Sequence, residues 1–366
     1  MTNPLRSGST RPAHLHTSII TLFLLVVLNT SHADDPPHLT ARPQPWQRHD
    51  KPVLSARNNP QPWRAVVCYS PHVIYDEGKF RMWYLGTSEA SRSNDIAMGY
   101  AESDDGLDWT EHPDNPVLSG DNVPWGNIIQ TPFVLRDPDE DLLKMWFVSG
   151  DGVEKDDDNQ ITRNHQQLGY ATSTDGVEWK VHPQPIYPCG RSPSVIRESA
   201  TRYRMWMGSR PDPTDTVSRE LYSNIYEFTS EDGLDWTRSK RPVLRPIEPA
   251  RSTVYPFVLK LGRTYHMWHG CHVEGGRFEI FCATSNDGSK WTVDHNQPAF
   301  PAAADRSRFD ARYTSTPCIV HRPRRLLLYY SARDWNNEYT DPQGRTRRDG
   351  SGVYAEIGVA EMAIAD

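Results

Sequence analysis

The sequence predicts an all-β fold, a five-bladed β-propeller with four-stranded antiparallel blades and a ring closed by an N-terminal strand that joins the last blade. Three observations carry this prediction. A turn of the form S-x-D-G-x-x-W occurs four times, at Ser103–Trp109, Ser173–Trp179, Ser230–Trp236 and Ser285–Trp291. A Met-Trp pair stands upstream of each turn, at Met82-Trp83, Met145-Trp146, Met205-Trp206 and Met267-Trp268, with Leu328-Tyr329 as a fifth, degenerate copy. Before each pair lies a proline-led apolar run, opening at Pro71, Pro132, Pro193, Pro256 and Pro317. The second members of the pairs are 63, 60, 62 and 61 residues apart, and a fixed period of this kind marks repeated structural units.

Each unit reads as four strands. The proline-led run is the first. The Met-Trp segment is the second; neighbours in a strand face opposite ways, so two large apolar neighbours imply a sheet covered on both sides. Radially packed blades supply that cover. The third strands are Met98–Ala101, Leu168–Ala171, Ile225–Phe228 and Ile280–Ala283. Asp-Gly then joins the third strand to the fourth, because Gly accepts positive φ and Asp bonds within its own turn.

The fifth unit stops after Ile357–Ala360 without a D-G-x-x-W strand. The missing piece lies at the other end, where Trp46 followed by Pro52-Val53-Leu54 copies Trp109 followed by Pro116-Val117-Leu118. Segment 46–54 is therefore the expected closing strand, which removes free sheet edges. The blades run roughly over residues 66–118, 128–186, 189–244, 252–299 and 313–366, in a single domain of residues 34–366.

Composition is consistent with this. The chain has 366 residues, 37% hydrophobic, 24% charged and 10% aromatic, with 30 prolines, 23 glycines and 12 tryptophans. A mean hydropathy of -0.69 excludes a multi-span membrane protein. The formal charge of -7, without a dense Lys/Arg block, argues against nucleic acid as a partner. Arg6 and Arg11, the apolar run Ser18–Leu28 and the small residues around Ala33 read as a secretory signal over residues 1–33, too short to span a bilayer. The expected location is secreted or periplasmic, with no membrane span in the mature chain, and the expected state is monomeric. Five cysteines without C-x-x-C spacing give no support to a metal knuckle, an odd count leaves at least one free thiol, and the sequence leaves any cofactor open.

Proline-led inner strands, M-W second strands and S-x-D-G-x-x-W turns over nearly all of the mature chain resemble the five-bladed propeller glycoside hydrolases. These are the arabinanase and xylosidase-like, invertase and levanase-like, and mannoside-phosphorylase-like families. The resemblance implies a substrate at the face where the inner strands begin, and a function on an oligo- or polysaccharide. It also implies carboxylates one or two residues before the inner-strand prolines, as base, modulator and acid, which glycosidic hydrolysis requires. Here those places hold Ser70, Thr131, Ser192, Tyr255 and Thr316, and Tyr69, Gln130, Arg191, Val254 and Ser315. None is a carboxylate, so this chain is a divergent relative, and a non-catalytic carbohydrate-binding propeller or a protein-interaction scaffold stands as the alternative. Arg136-Asp137-Pro138 imitates an invertase motif but falls in the hairpin on the opposite face.

Candidate site residues follow from the two kinds of loop that reach this face. The inner-strand entries offer Asn127, Arg191, Arg251, Asp310 and Arg312, with Tyr69, Gln130 and Tyr255. The loops after the Met-Trp strands offer Glu89, Arg92 and Asp95, then Asp151 and Glu154, Arg210, Asp212 and Asp215, His269, His272 and Glu274, and finally Arg333, Asp334 and Glu338. The last loop, Ser331 to about Tyr354, is long enough to act as a wall or lid. The carboxylate pair selected for acid and base work is Asp310 with Asp334. Substrate contacts are expected from Tyr69, His72, Asn127, Gln130, Arg191, Arg251, Tyr255, His269, Arg312 and Arg333. Arginines on consecutive blades suit an anionic, sulfated or uronic, sugar, since guanidinium pairs bidentately with such groups. They also resemble those of sialidases, whose turn is one residue longer.

Overall fold

Met82, Trp83, Met145, Trp146, Met205, Trp206, Met267 and Trp268 are all buried, so each second strand is covered on both faces. The computed structural model describes residues 46–364 apart from 89–95, 156–160, 215–221, 247–251, 295, 342 and 349–352, with 151–155 and 161–164 as backbone only. The expected signal segment and Arg251 lie outside the described residues. All described residues belong to one compact unit.

The protein is nearly all β, built from four-stranded antiparallel sheets of propeller type. Short strands β1 (Gln47–Arg48) and β2 (Leu54–Ser55) come first. A sheet of β3 (Val67–Asp76), β4 (Lys79–Thr87), β5 (Ala97–Ser103) and β6 (Thr110–Glu111) follows. The second has β7 (Gln130–Asp137), β8 (Leu142–Lys155), β9 (Ile161–Ser173) and β10 (Lys180–Val181). The third has β11 (Arg191–Ser199), β12 (Arg202–Ser209), β13 (Asn224–Ser230) and β14 (Thr237–Arg238).

A nine-stranded sheet takes up the rest of the repeat. It contains β15 (Val254–Leu261), β16 (Thr264–Val273), β17 (Arg277–Ser285) and β18 (Thr292–Val293), then β19 (Tyr313–Arg322) and β20 (Arg325–Arg333). The two groups meet through one parallel pairing, Phe278 with Tyr313. Between β20 and the last strand, a ribbon of β21 (Glu338–Thr340) and β22 (Thr346–Arg348) occupies the long loop. The final strand β23 (Glu356–Ala363) pairs with β20 on one side and with β1 and β2 on the other. Leu54 faces Ile357 as Leu118 faces Met98 and Leu244 faces Ile225, so the N-terminal segment takes the place of a fourth strand beside β23.

The four Asp-Gly turns are built alike. Asp105 Oδ1 accepts from the backbone N–H groups of Leu107 and Asp108 at 2.8 and 2.9 Å, and Ser103 Oγ accepts from Gly106 N at 2.8 Å. Asp175, Asp232 and Asp287 repeat this pattern. The turn glycines are also where units join. Trp83 Nε1 donates to Gly176 O, Trp146 to Gly233 O and Trp206 to Gly288 O, each at 2.8 Å. Tyr329 donates to Gly106 O at 2.9 Å, from the fifth unit to the first. Glycine is required here twice over: φ is positive, and a Cβ on Gly176 would stand 2.8 Å from the Trp83 ring.

No disulfide forms among the described cysteines. Burial pushes the Cys68, Cys271, Cys282 and Cys318 thiols up to about 12, so they are inert apolar side chains.

Candidate functional site

Each inner strand has an irregularity at its proline. Ladder pairing skips between Tyr69 and His72, Gln130 and Phe133, Arg191 and Ser194, Val254 and Phe257, and Ser315 and Cys318. The residue before each proline has positive φ: Ser70 53°, Thr131 43°, Ser192 57°, Tyr255 56° and Thr316 45°. Left-handed backbone costs a non-glycine residue about 1–2 kcal/mol. Five such bulges in register re-aim the side chains around them, as bulges do beside functional sites.

All five meet around one narrow cavity. Ser70, Thr131, Ser192, Tyr255 and Thr316 line it with their prolines, and its volume is about 30 Å³. The bulges are tied to one another. Ser70 N donates to Ser331 Oγ at 2.7 Å, Ser331 is bonded to Thr316 Oγ1, and Ser192 N donates to Thr131 Oγ1 at 3.2 Å. Val73 N meets Cys318 Sγ at 3.1 Å, from the first unit to the fifth.

Around the cavity mouth stands an arc of aromatic rings and guanidinium groups. The Tyr69 ring stacks on Tyr354 at 5.8 Å, and Arg333 lies over Tyr354 at 3.5 Å and over Tyr313 at 4.8 Å. Tyr313 stacks on Phe278 at 5.7 Å, and the Tyr255 ring is 6.0 Å from Phe278. Arg191 Nη2 donates to the Tyr255 hydroxyl at 2.8 Å. Ser315 Oγ donates to the Tyr354 hydroxyl at 3.0 Å. Burial raises the Tyr69 hydroxyl and pushes that of Tyr354 up to about 12, against the pull of nearby arginines. Both stay neutral donors at ordinary pH.

Of the residues selected from sequence, the structure brings Tyr69, Gln130, Arg191, Tyr255 and Arg333 to this end of the inner strands. His72 lies in the cavity wall. It is buried, packs 4.4 Å from the Phe133 ring and donates from Nε2 to Val134 O at 2.8 Å, and burial lowers it to about 4, so it remains neutral. His269 is fully buried against Phe281 and Cys271. Arg312 is bonded to Asn337 at 2.9 Å and stacks on Trp335. Asn127 is exposed, with its backbone N–H on Gly150 O.

The expected carboxylate pair is not assembled. Asp310 is fully buried and accepts from Arg48 at 2.7 Å, Tyr330 at 2.8 Å and Arg308 at 3.0 Å. It ties β1 to the loop before β19 and presents no carboxylate to the mouth. Asp334 sits in a different network, bound by Arg57 at 2.5 and 3.1 Å. Beside it is Glu356, a buried carboxyl that pairs with Ser55 and Arg57 at 3.5 and 3.7 Å. Burial, reinforced by the Asp334 charge, pushes Glu356 up to about 7.

Sequence reasoning missed Tyr313, Tyr354, Arg57 and Glu356. A register signal exists for one of them. Tyr222 and Tyr354 each stand five residues before the third-strand residue opposite the second-strand aromatic, Glu227 opposite Trp206 and Val359 opposite Tyr329.

No protein-family profile matches the chain. An uncharacterized protein of Mycobacterium tuberculosis, in two strains, is 31% identical over 142 residues, 37% of this chain and 44% of the relative. The chain therefore spans under half the length of the curated relatives it matches. Among solved structures, it is similar to one from the GH130 family of mannoside phosphorylases, a family that contains glycoside hydrolases targeting β-1,2 mannosidic linkages in Candida mannan. The TM-score is 0.63 at 16% identity, over 90% of this chain and 99% of that one. A glycosyl hydrolase from Bacteroides ovatus gives 0.63 at 16%, over 91% and 99%. The catalytic domain of the Coprinopsis cinerea GH62 α-L-arabinofuranosidase gives 0.60 at 12%, over 87% and 97%. At these identities the likeness is one of fold alone.

Proposed function

We propose that this protein is an exported, carbohydrate-directed propeller of five blades, closed by the segment that contains β1 and β2, and that it binds an oligo- or polysaccharide at the mouth of the central channel. One observation carries the reading: the bulged starts of all five inner strands converge on one mouth rimmed by Tyr69, Tyr255, Tyr313 and Tyr354. Aromatic faces with a few convergent polar groups are the usual make-up of a ligand site. The fold neighbours, which include enzymes of glycosidic bonds, support the ligand class. Binding calorimetry against a panel of neutral, uronic and sulfated oligosaccharides tests it. Saturable binding to at least one glycan, lost in Tyr354→Ala, is the expected result; no binding across the panel overturns it.

A second reading, hydrolysis at the same face, is favoured by Glu356. A buried carboxyl raised to about 7 beside a second carboxyl group is the kind of arrangement from which an acid role can be drawn. In that reading Asp334 and Glu356 replace the pair Asp310 and Asp334. Release of reducing ends by the wild type, abolished in both Glu356→Gln and Asp334→Asn, would establish it. Glycan binding without product would leave the binding function alone.

A further inference from the structure

We infer that the channel mouth contains an oxyanion subsite centred on Arg191, which takes the carboxylate or sulfate of a sugar unit. This rests on the saccharide reading above and adds the chemical group. Arg191 opens β11 two residues before Pro193, level with Gln130 on β7 and Tyr69 on β3. Its guanidinium is half-buried, bonds the Tyr255 hydroxyl and lies 5.2 Å from the Tyr255 ring. Among the described residues no carboxylate contacts it. Two arginines elsewhere in the protein do have a carboxylate partner: Arg64 is paired with Glu111 and Arg204 with Glu227.

Unused polar atoms occur on these same strand starts. Arg191 Nε, Ser192 Oγ and Gln130 Oε1 are each buried without a hydrogen-bond partner. Ser192 is 6% exposed and lines the channel cavity. Buried polar groups are normally satisfied, so three orphans at adjoining strand starts ask for a ligand. A guanidinium out of water without a counter-charge is unfavourable, and an oxyanion relieves it. The planar fork of N–H groups matches two oxygens of a carboxylate or sulfate. Tyr69 and Tyr222, kept protonated by burial, flank Arg191 and add no negative charge. The chain is acidic overall at -7, so affinity for an anion at this point is a local property and not a consequence of net charge. The stacked Tyr69 and Tyr354 rings offer the sugar carrying the anion an aromatic surface.

The test is calorimetry on the full chain with four probes: a galacturonate oligosaccharide, its carboxyl-reduced neutral counterpart, a sulfated disaccharide and inorganic sulfate. The uronate or the sulfated probe is expected to bind at least tenfold more tightly than the neutral one, and the tighter of the two names the group. In Arg191→Met that preference disappears while Tm holds or rises, because a half-buried charge with no carboxylate partner has been removed. A purely structural arginine would instead lower Tm. Should Arg191→Met fail to fold, loss of the preference in Tyr255→Phe carries the same information. Equal binding of neutral and anionic glycans overturns the subsite and leaves the saccharide reading intact. Inorganic sulfate binding as tightly as the sulfated sugar overturns the sugar assignment, and no glycan binding overturns both.

Discussion

Two charged residues show how burial separates roles that sequence alone left level. Asp310 and Arg191 both stand at inner-strand entries, yet Asp310 is surrounded by two guanidiniums and a phenol, whereas Arg191 has only tyrosines. The first is a structural anchor and the second is available to a ligand. Glu356 gives a pH prediction. Its folded value near 7 lies above the ordinary 4.5, so the folded state holds this proton more tightly than the unfolded chain. The stability from this site is complete below about pH 4.5 and is lost as pH rises to about 7. His72 and His266, lowered to about 4 by burial, act in the opposite sense: their contribution is complete above about 6.5 and is lost as pH falls toward 4. Comparing Glu356→Gln with the wild type isolates the glutamate. The variant's Tm should exceed the wild type's by about 3 °C or more at pH 8 and match it at pH 4.5. A constant difference across that range would remove the buried-carboxyl account. At the mouth, Tyr354→Ala is expected to weaken glycan binding at least tenfold, about 1.4 kcal/mol, as seen by titration.

At the scale of the element, the Trp-to-glycine bond between units is the recurring device. Gly233→Ala forces positive φ on alanine and sets a Cβ 3.0 Å from the Trp146 ring, whereas Gly275→Ala meets open space at a similar φ. Thermal unfolding should show Gly233→Ala lowering Tm by about 3–6 °C and Gly275→Ala by less. Equal losses would mean that the inter-unit contact contributes nothing. Much of this was legible in the sequence, because the Asp-Gly turn and the paired Met and Trp are local signals with a single physical reading. The strand order, the burial of both Met and Trp, and the pairing of Leu54 with Ile357 all follow from them. The site was less legible. Tyr69, Arg191 and Tyr255 could be placed by their offset from a proline, but Tyr354 reaches the mouth from the start of β23, across the boundary between the last unit and the first. Asp310 looked available because a sequence does not show which arginines fold back on a carboxylate.

For the molecule as a whole, chain ends and site depend on one another. β1 and β2 hold β23, β23 follows Tyr354, and the Tyr354 carbonyl accepts from Cys68 N at 2.8 Å in the first sheet. Removing residues before Ala56 should therefore unpair β23, lower Tm sharply and expose an edge that self-associates, as size-exclusion chromatography would detect. An unchanged elution volume and Tm would contradict this. The saccharide site at the channel mouth is tested most directly by a crystal structure of the protein soaked with its tightest-binding oligosaccharide. The expected result is a sugar ring against Tyr69 and Tyr354, with its acidic group on Arg191. Glycan density on another surface, with the mouth empty, would contradict it.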